Sequence, residues 1–123
     1  MLNQSPDAIR SITVEELSAY LTQRANGEGN PSVQLIDVRE PWELETASIT
    51  GFVNLPLSQM AEWAEQIAEQ FDATTETIVM CHHGMRSAQF CYWLMQQGFQ
   101  DVRNLTGGIA AYSSFIDPSI PQY

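Results

Sequence analysis

The segment Cys81-His82-His83-Gly84-Met85-Arg86-Ser87 gathers a thiol, two imidazoles, a guanidinium and a hydroxyl around one glycine. It follows the apolar run Thr77-Ile78-Val79-Met80 and precedes a helical pattern starting at Ser87. In a strand-loop-helix turn of this kind, successive backbone N–H groups converge on one atom and the helix dipole adds positive potential. Such a field favours a thiolate, Arg86 adds a fixed positive charge at the far end, and Gly84 supplies the backbone freedom of a tight loop. Cys81 is therefore the candidate nucleophile. The plainer reading is that Cys81 is a small buried residue ending a strand. Arg86 likewise has two readings: it caps loop carbonyls or pairs with a carboxylate, or it closes the loop and helps to bind an anion.

His82 and His83 could be metal ligands, but a tetrahedral site would need both histidines and both cysteines of the chain. That set includes Cys91, from the middle of a helix, so no metal is expected. Both imidazoles are expected at the mouth of the pocket, where protonation would attract an anion against a net charge of −10. Cys91 falls more than one turn inside its helix, on the apolar face, and reads as a buried structural thiol rather than a partner for Cys81. Trp42, Trp63, Trp93 and the methionines read as packing. No cofactor is expected.

The elements that must hold this loop follow from periodicity. Thr13-Val14-Glu15-Glu16 fits a capping box, and Ile12 and Leu17 sit where a hydrophobic staple closes, so a helix starts there. The cluster Asn26-Gly27-Glu28-Gly29-Asn30-Pro31 ends it. Val33 to Val38 reads as a short strand buried on both faces, with the polar residues Asp37 and Arg39 at its carboxyl end, where chemistry usually sits. Phe52 to Leu55 is a second strand, stopped by Pro56. Leu57, Met60, Ala61, Ala64, Ile67, Ala68 and Phe71 repeat at steps of three and four residues and predict one amphipathic helix. Its acidic face reads as solvated. Thr77 to Met80 is the strand that delivers Cys81. Ala88, Cys91, Leu94 and Met95 share one helical face, and Gly98-Phe99 is a Schellman-type stop. Val102 to Leu105 is a further strand, and Gly107-Gly108 opens a last short helix through Tyr112 that Pro118 closes. Strands alternating with helices argue for right-handed crossovers and an α/β/α sandwich.

A chain of 123 residues with 44% hydrophobic side chains suits one domain, residues 1–123. Its accessible surface should be roughly 6,600 Å² folded against roughly 20,000 Å² extended, enough burial for one core without staples. Fifteen acidic against five basic residues repel phosphate backbones, so no nucleic acid partner is expected. No apolar run approaches the ~20 residues of a membrane span, and Met1 to Asp7 lacks the basic-then-apolar pattern of a leader. With two cysteines no disulfide framework exists, and a reducing cytoplasm is the expected compartment.

Cys81 to Gln89, followed by Gln97-Gly98-Phe99 and Asn104-Leu105-Thr106-Gly107-Gly108-Ile109, resembles the single-domain rhodaneses. Leu35-Ile36-Asp37-Val38-Arg39-Glu40-Pro41-Trp42-Glu43 and Ile49 to Pro56 resemble the family's two upstream signatures in order and spacing. The resemblance covers about residues 11 to 115, and ordered motifs together are far more specific than any one. It implies a three-layer α/β/α sandwich around a five-stranded parallel sheet of order 1-5-4-2-3, with the active cysteine after the fourth strand. It implies a sulfurtransferase in which Cys81 takes the outer sulfur of thiosulfate and is left as a persulfide, cradled by the amides of residues 82 to 86. A thiophile such as cyanide or a thiol then accepts the sulfur, and a protein persulfide is a further donor or acceptor. Asp37 and Arg39 resemble the family's Asp-x-Arg. Asp37 would order the active loop by hydrogen bonding, and Arg39 would make a structural ion pair. Three departures stand out: Ser48 in place of the usual His, Ala47 in place of Gly, and Tyr112 in place of Trp. The alternatives are a non-catalytic or pathway-bound sulfur carrier and a phosphatase or arsenate reductase of related fold. The latter wrap a tetrahedral oxyanion with Cys-x5-Arg, whereas Cys81 to Arg86 is one residue shorter and should exclude it by size.

Overall fold

The structure is a computed structural model that describes residues 9–29 and 32–123. The reading of Met1 to Asp7 and the Asn30-Pro31 end of the turn cluster lie outside the described residues. Strands β1 (Arg10–Ile12), β2 (Gln34–Asp37), β3 (Val53–Asn54), β4 (Thr77–Met80) and β5 (Val102–Leu105) form one sheet in the order β1-β5-β4-β2-β3. Every neighbouring pair is parallel. The helices are α1 (Val14–Ala25), α2 (Pro41–Thr46), α3 (Met60–Trp63), α4 (Ile67–Gln70), α5 (Met85–Gln96) and α6 (Gly108–Phe115).

Both faces of the sheet are covered, as strands without polar alternation require. On one face Ile36, Val79 and Val102 pack with Trp63 and Ile67 of α3 and α4 and with Phe90, Cys91 and Leu94 of α5. On the other, Leu35, Ile78 and Met80 pack with Val14 and Leu17 of α1 and with Ile109 and Tyr112 of α6. β4 lies between β5 and β2 and is buried at every position, so its carboxyl end is the most enclosed point of the sheet.

Helix α1 starts as its capping box demands: Glu16 N–H donates to Thr13 Oγ1 at 3.1 Å and Thr13 N–H to Glu16 Oε1 at 2.9 Å. Other boundaries depart from expectation. The single helix expected over Leu57 to Phe71 is four short pieces, with 3₁₀ turns at Leu57–Gln59 and Ala64–Gln66 flanking α3. Leu57, Met60 and Trp63 recur every third residue, the period of the tighter helix, and the Trp63 indole N–H is held on Pro56 O at 2.9 Å. Helix α2 has no apolar period and rests on end signals instead: Pro41 in the first turn and Glu43 reaching back to the Glu40 N–H at 2.9 Å. Helix α5 starts at Met85, two residues before the expected Ser87, because Gly84 at φ 105° turns the chain straight into it. Helix α6 runs past Tyr112 to Phe115.

Candidate active site

Three strand ends meet at the carboxyl edge of the sheet. β2 ends in Asp37, β4 runs into Cys81, and β5 runs into Thr106-Gly107-Gly108. Cys81 is 1% exposed, and the Gly84 N–H donates to its Sγ at 3.0 Å. The Ser87 hydroxyl lies 3.2 Å from the same sulfur and within hydrogen-bond reach of Asn104 Oδ1, so its one proton serves one acceptor at a time. Asn104 returns from β5 to donate to Gly84 O at 3.0 Å. The turn that aims the Gly84 amide at sulfur is thus pinned on its carbonyl side.

The loop is braced from below by α6. Ile109 N–H donates to Cys81 O at 2.9 Å and Ala110 N–H to His82 O at 3.0 Å. These first-turn amides lack partners within their own helix, so docking them on the loop carbonyls satisfies both sides. The approach is so close that a Cβ on Gly108 would stand 2.5 Å from Cys81 O, which fixes glycine there.

Beside the loop, two ion pairs are joined into one network. Arg39, fully buried, donates to Asp37 through its backbone N–H, Nε and Nη2, the last at 2.8 Å, and also through Nη2 to Ala47 O at 2.8 Å. Arg86 meets Glu43 with both nitrogens, Nη1 to Oε1 at 2.8 Å and Nη2 to Oε2 at 3.0 Å. The Tyr123 hydroxyl links the pairs: it accepts from Arg39 Nη1 at 2.9 Å and donates to Glu43 Oε2 at 2.7 Å. Burial pushes the Glu43 carboxyl up, but the hydrogen bonds from Arg86 and Tyr123 outweigh it and hold the group at about 2. Burial raises the Tyr123 phenol to about 12. The Tyr123 ring stacks on His82 with centroids 3.9 Å apart, and His83 leans on the other imidazole at 3.9 Å. His82 is half-buried and binds its proton less tightly than usual, through burial first and then the neighbouring charge of His83. His83 and Met85 are exposed.

Cys81, Gly84, Arg86 and Ser87 therefore converge, with His82 beside them. Asp37 lies at its expected place, at the end of β2 beside Met80, but its carboxylate does not bond the loop. Its carboxylate is taken up by Arg39, two residues further on at the bend after β2, because a buried guanidinium needs its counter-charge close by. The Asp37 carboxylate connects to the loop through Arg39, Tyr123, Glu43 and Arg86. Of the two readings of Arg86, the carboxylate pair is present. Cys91 is fully buried, and burial raises its thiol to about 12. Among the described residues no group of three His, Cys, Asp or Glu could hold a metal ion. Sequence reasoning passed over Glu43, Asn104 and Tyr123 as site residues. The Glu40-Pro41-x-Glu43 capping pattern and a polar residue inside a buried strand were signals for the first two, and Tyr123 had none.

A family model described as "Rhodanese-like domain" matches residues 18–115. A rhodanese-like/PpiC domain-containing protein 12 of Arabidopsis thaliana, named as chloroplastic, is 44% identical over 95% of this chain, and the chain spans 38% of that protein's length. A sulfurtransferase of Allochromatium vinosum is 36% identical over 85% of the chain and 89% of its own length. Among solved structures, a rhodanese-like domain protein of Staphylococcus aureus superposes with a TM-score of 0.70 at 28% identity, covering 85% of this chain and 91% of that one. Among the described residues no helix is long and apolar enough to cross a membrane.

Proposed function

The chain belongs to the rhodanese-like family, and we propose that within it the protein is a sulfurtransferase whose Cys81 carries the sulfur. The Gly84 N–H donating to Cys81 Sγ at 3.0 Å carries this reading. An amide held in that direction stabilises negative charge on Sγ, both in the thiolate that attacks the donor and in the thiolate that leaves when the acceptor takes the sulfur. The thiolate attacks the outer sulfur of the donor. A sulfur–sulfur bond to Cys81 forms as the donor's own breaks, and its electron pair leaves with sulfite from thiosulfate or with a thiolate from an organic persulfide. The acceptor, cyanide or a thiol, then attacks the outer sulfur, and the Cys81 thiolate leaves with the bonding pair. In this reading Gly84 supports the charge, Ser87 supplies a second donor when its proton turns from Asn104 to sulfur, Met85 and His83 form the rim, and His82 orders the loop. Asp37 and Arg39 support the site through the network.

The third reading, an oxyanion-handling phosphatase or arsenate reductase, is disfavoured by the short span from Cys81 to Arg86 and by Arg86 being spent on Glu43. Two unpaired thiols suit a reducing compartment.

Varying donor and acceptor together tests the double displacement. Parallel lines in double-reciprocal plots are expected for a ping-pong enzyme. Converging lines would contradict it. A single sulfur loaded on Cys81 with no turnover to small acceptors would indicate a carrier.

A further inference from the structure

The charges around Cys81 cancel in pairs. Arg86 is the cation of the loop, and both of its terminal nitrogens are committed to Glu43. Glu43 is in turn saturated, with Oε1 also taking the Glu40 N–H and Oε2 the Tyr123 hydroxyl. The second guanidinium, Arg39, is sealed on Asp37. His82 lies between His83 and the Tyr123 ring, where burial disfavours its cationic form. Beside the exposed His83, large apolar groups face solvent: Met85 is 77% exposed, and Trp42, packed edge-on against Tyr123, is 61% exposed. The whole chain adds a net charge of −10. A free dianion approaching Cys81 meets a repulsive long-range field and no uncompensated arginine.

Resting on the Cys81 reading above, we infer that Glu43 is a specificity-determining residue: by holding Arg86 it favours sulfane sulfur delivered as a persulfide on a framework without net negative charge over a free dianion such as thiosulfate. Such a donor escapes the repulsion, and its carbon framework can lie on Met85 and Trp42. Tyr123 is the positioning residue that fixes the Glu43 oxygens on Arg86.

The test compares kcat/KM for thiosulfate and for cysteamine persulfide, whose ammonium balances its persulfide anion. Cyanide is the acceptor and Cys81→Ala the blank. Glu43→Gln keeps the shape and the acceptor for the Glu40 N–H but leaves the Arg86 charge uncompensated. Its kcat/KM for thiosulfate, relative to the persulfide, should rise about tenfold, through KM, and the gain should shrink in high salt. An equal change for both donors, or a loss confined to thiosulfate, would overturn the inference. If the variant does not fold, the wild type still decides. Its kcat/KM should rise with salt for thiosulfate and stay flat for cysteamine persulfide, whereas a flat or falling thiosulfate response would overturn it. A persulfidated cysteine peptide flanked by lysines, run alongside, separates the sources: a higher kcat/KM assigns the carrier to a protein, an equal one to a small thiol. If no donor loads sulfur on wild-type Cys81, it is the proposed function that fails, not the role of Glu43.

Discussion

At the scale of single residues, Glu43 ties stability to the site. Its carboxyl ionises at about 2 in the fold against an ordinary 4.5, so its stabilising contribution is complete above the ordinary value and is lost as pH falls from there toward 2. Allowing for the half-exposed Arg86 on the other side of the pair, the effect should be about 2 kcal/mol. Urea titrations of wild type and Glu43→Gln across that acid window should show a steeper loss for the wild type. Parallel curves would mean that the pair contributes nothing. Cys91 makes the complementary case. It is fully buried and its thiol sits at about 12, so alkylation of the folded protein at pH 8 should spare Cys91. Peptide mapping after iodoacetamide checks this, and prompt labelling of Cys91 would contradict the packing described.

At the scale of elements, α6 acts as the support on which the Cys81 loop rests. Gly108→Ala drives a Cβ to 2.4 Å from His82 O at a φ of 61° and should cost roughly 2–4 kcal/mol in thermal or urea unfolding. Because the displaced atoms belong to the loop backbone, sulfur loading should slow as well, and an unchanged loading rate would show that the support is dispensable. Elements governed by local chemistry could be read in advance. The Thr13 capping box and the run Thr77 to Met80 each carry their signal within a few residues, whereas the left-handed turn at Gly84 brings α5 in ahead of the expected Ser87. The stretch Leu57 to Phe71 misled because three-residue spacing satisfies both helix periods, and only the seating of Trp63 on Pro56 separates them. Helix α2 was passed over because six residues leave no room for periodicity. Strand β1 has three residues and exists through its pairing with β5, so the parallel partner rather than local preference creates it.

For the whole molecule, the sheet order was legible through the resemblance of four motifs, and it places Cys81 at the enclosed carboxyl end of β4. The network behind the loop was not legible. Tyr123 and Glu43 are 80 positions apart, and neither spacing nor composition signals that a tyrosine will join two ion pairs. Sequence motifs thus located the candidate nucleophile, while the electrostatic character of its surroundings emerged only from the fold. The central claim is that Cys81 takes up sulfane sulfur, and intact mass tests it most directly. Wild type and Cys81→Ala are incubated with thiosulfate or cysteamine persulfide, then desalted and weighed. One added sulfur atom on the wild type alone, removed again by cyanide, is the predicted result. A folded, reduced wild type that gains no sulfur, or a Cys81→Ala variant that gains as much, would contradict it.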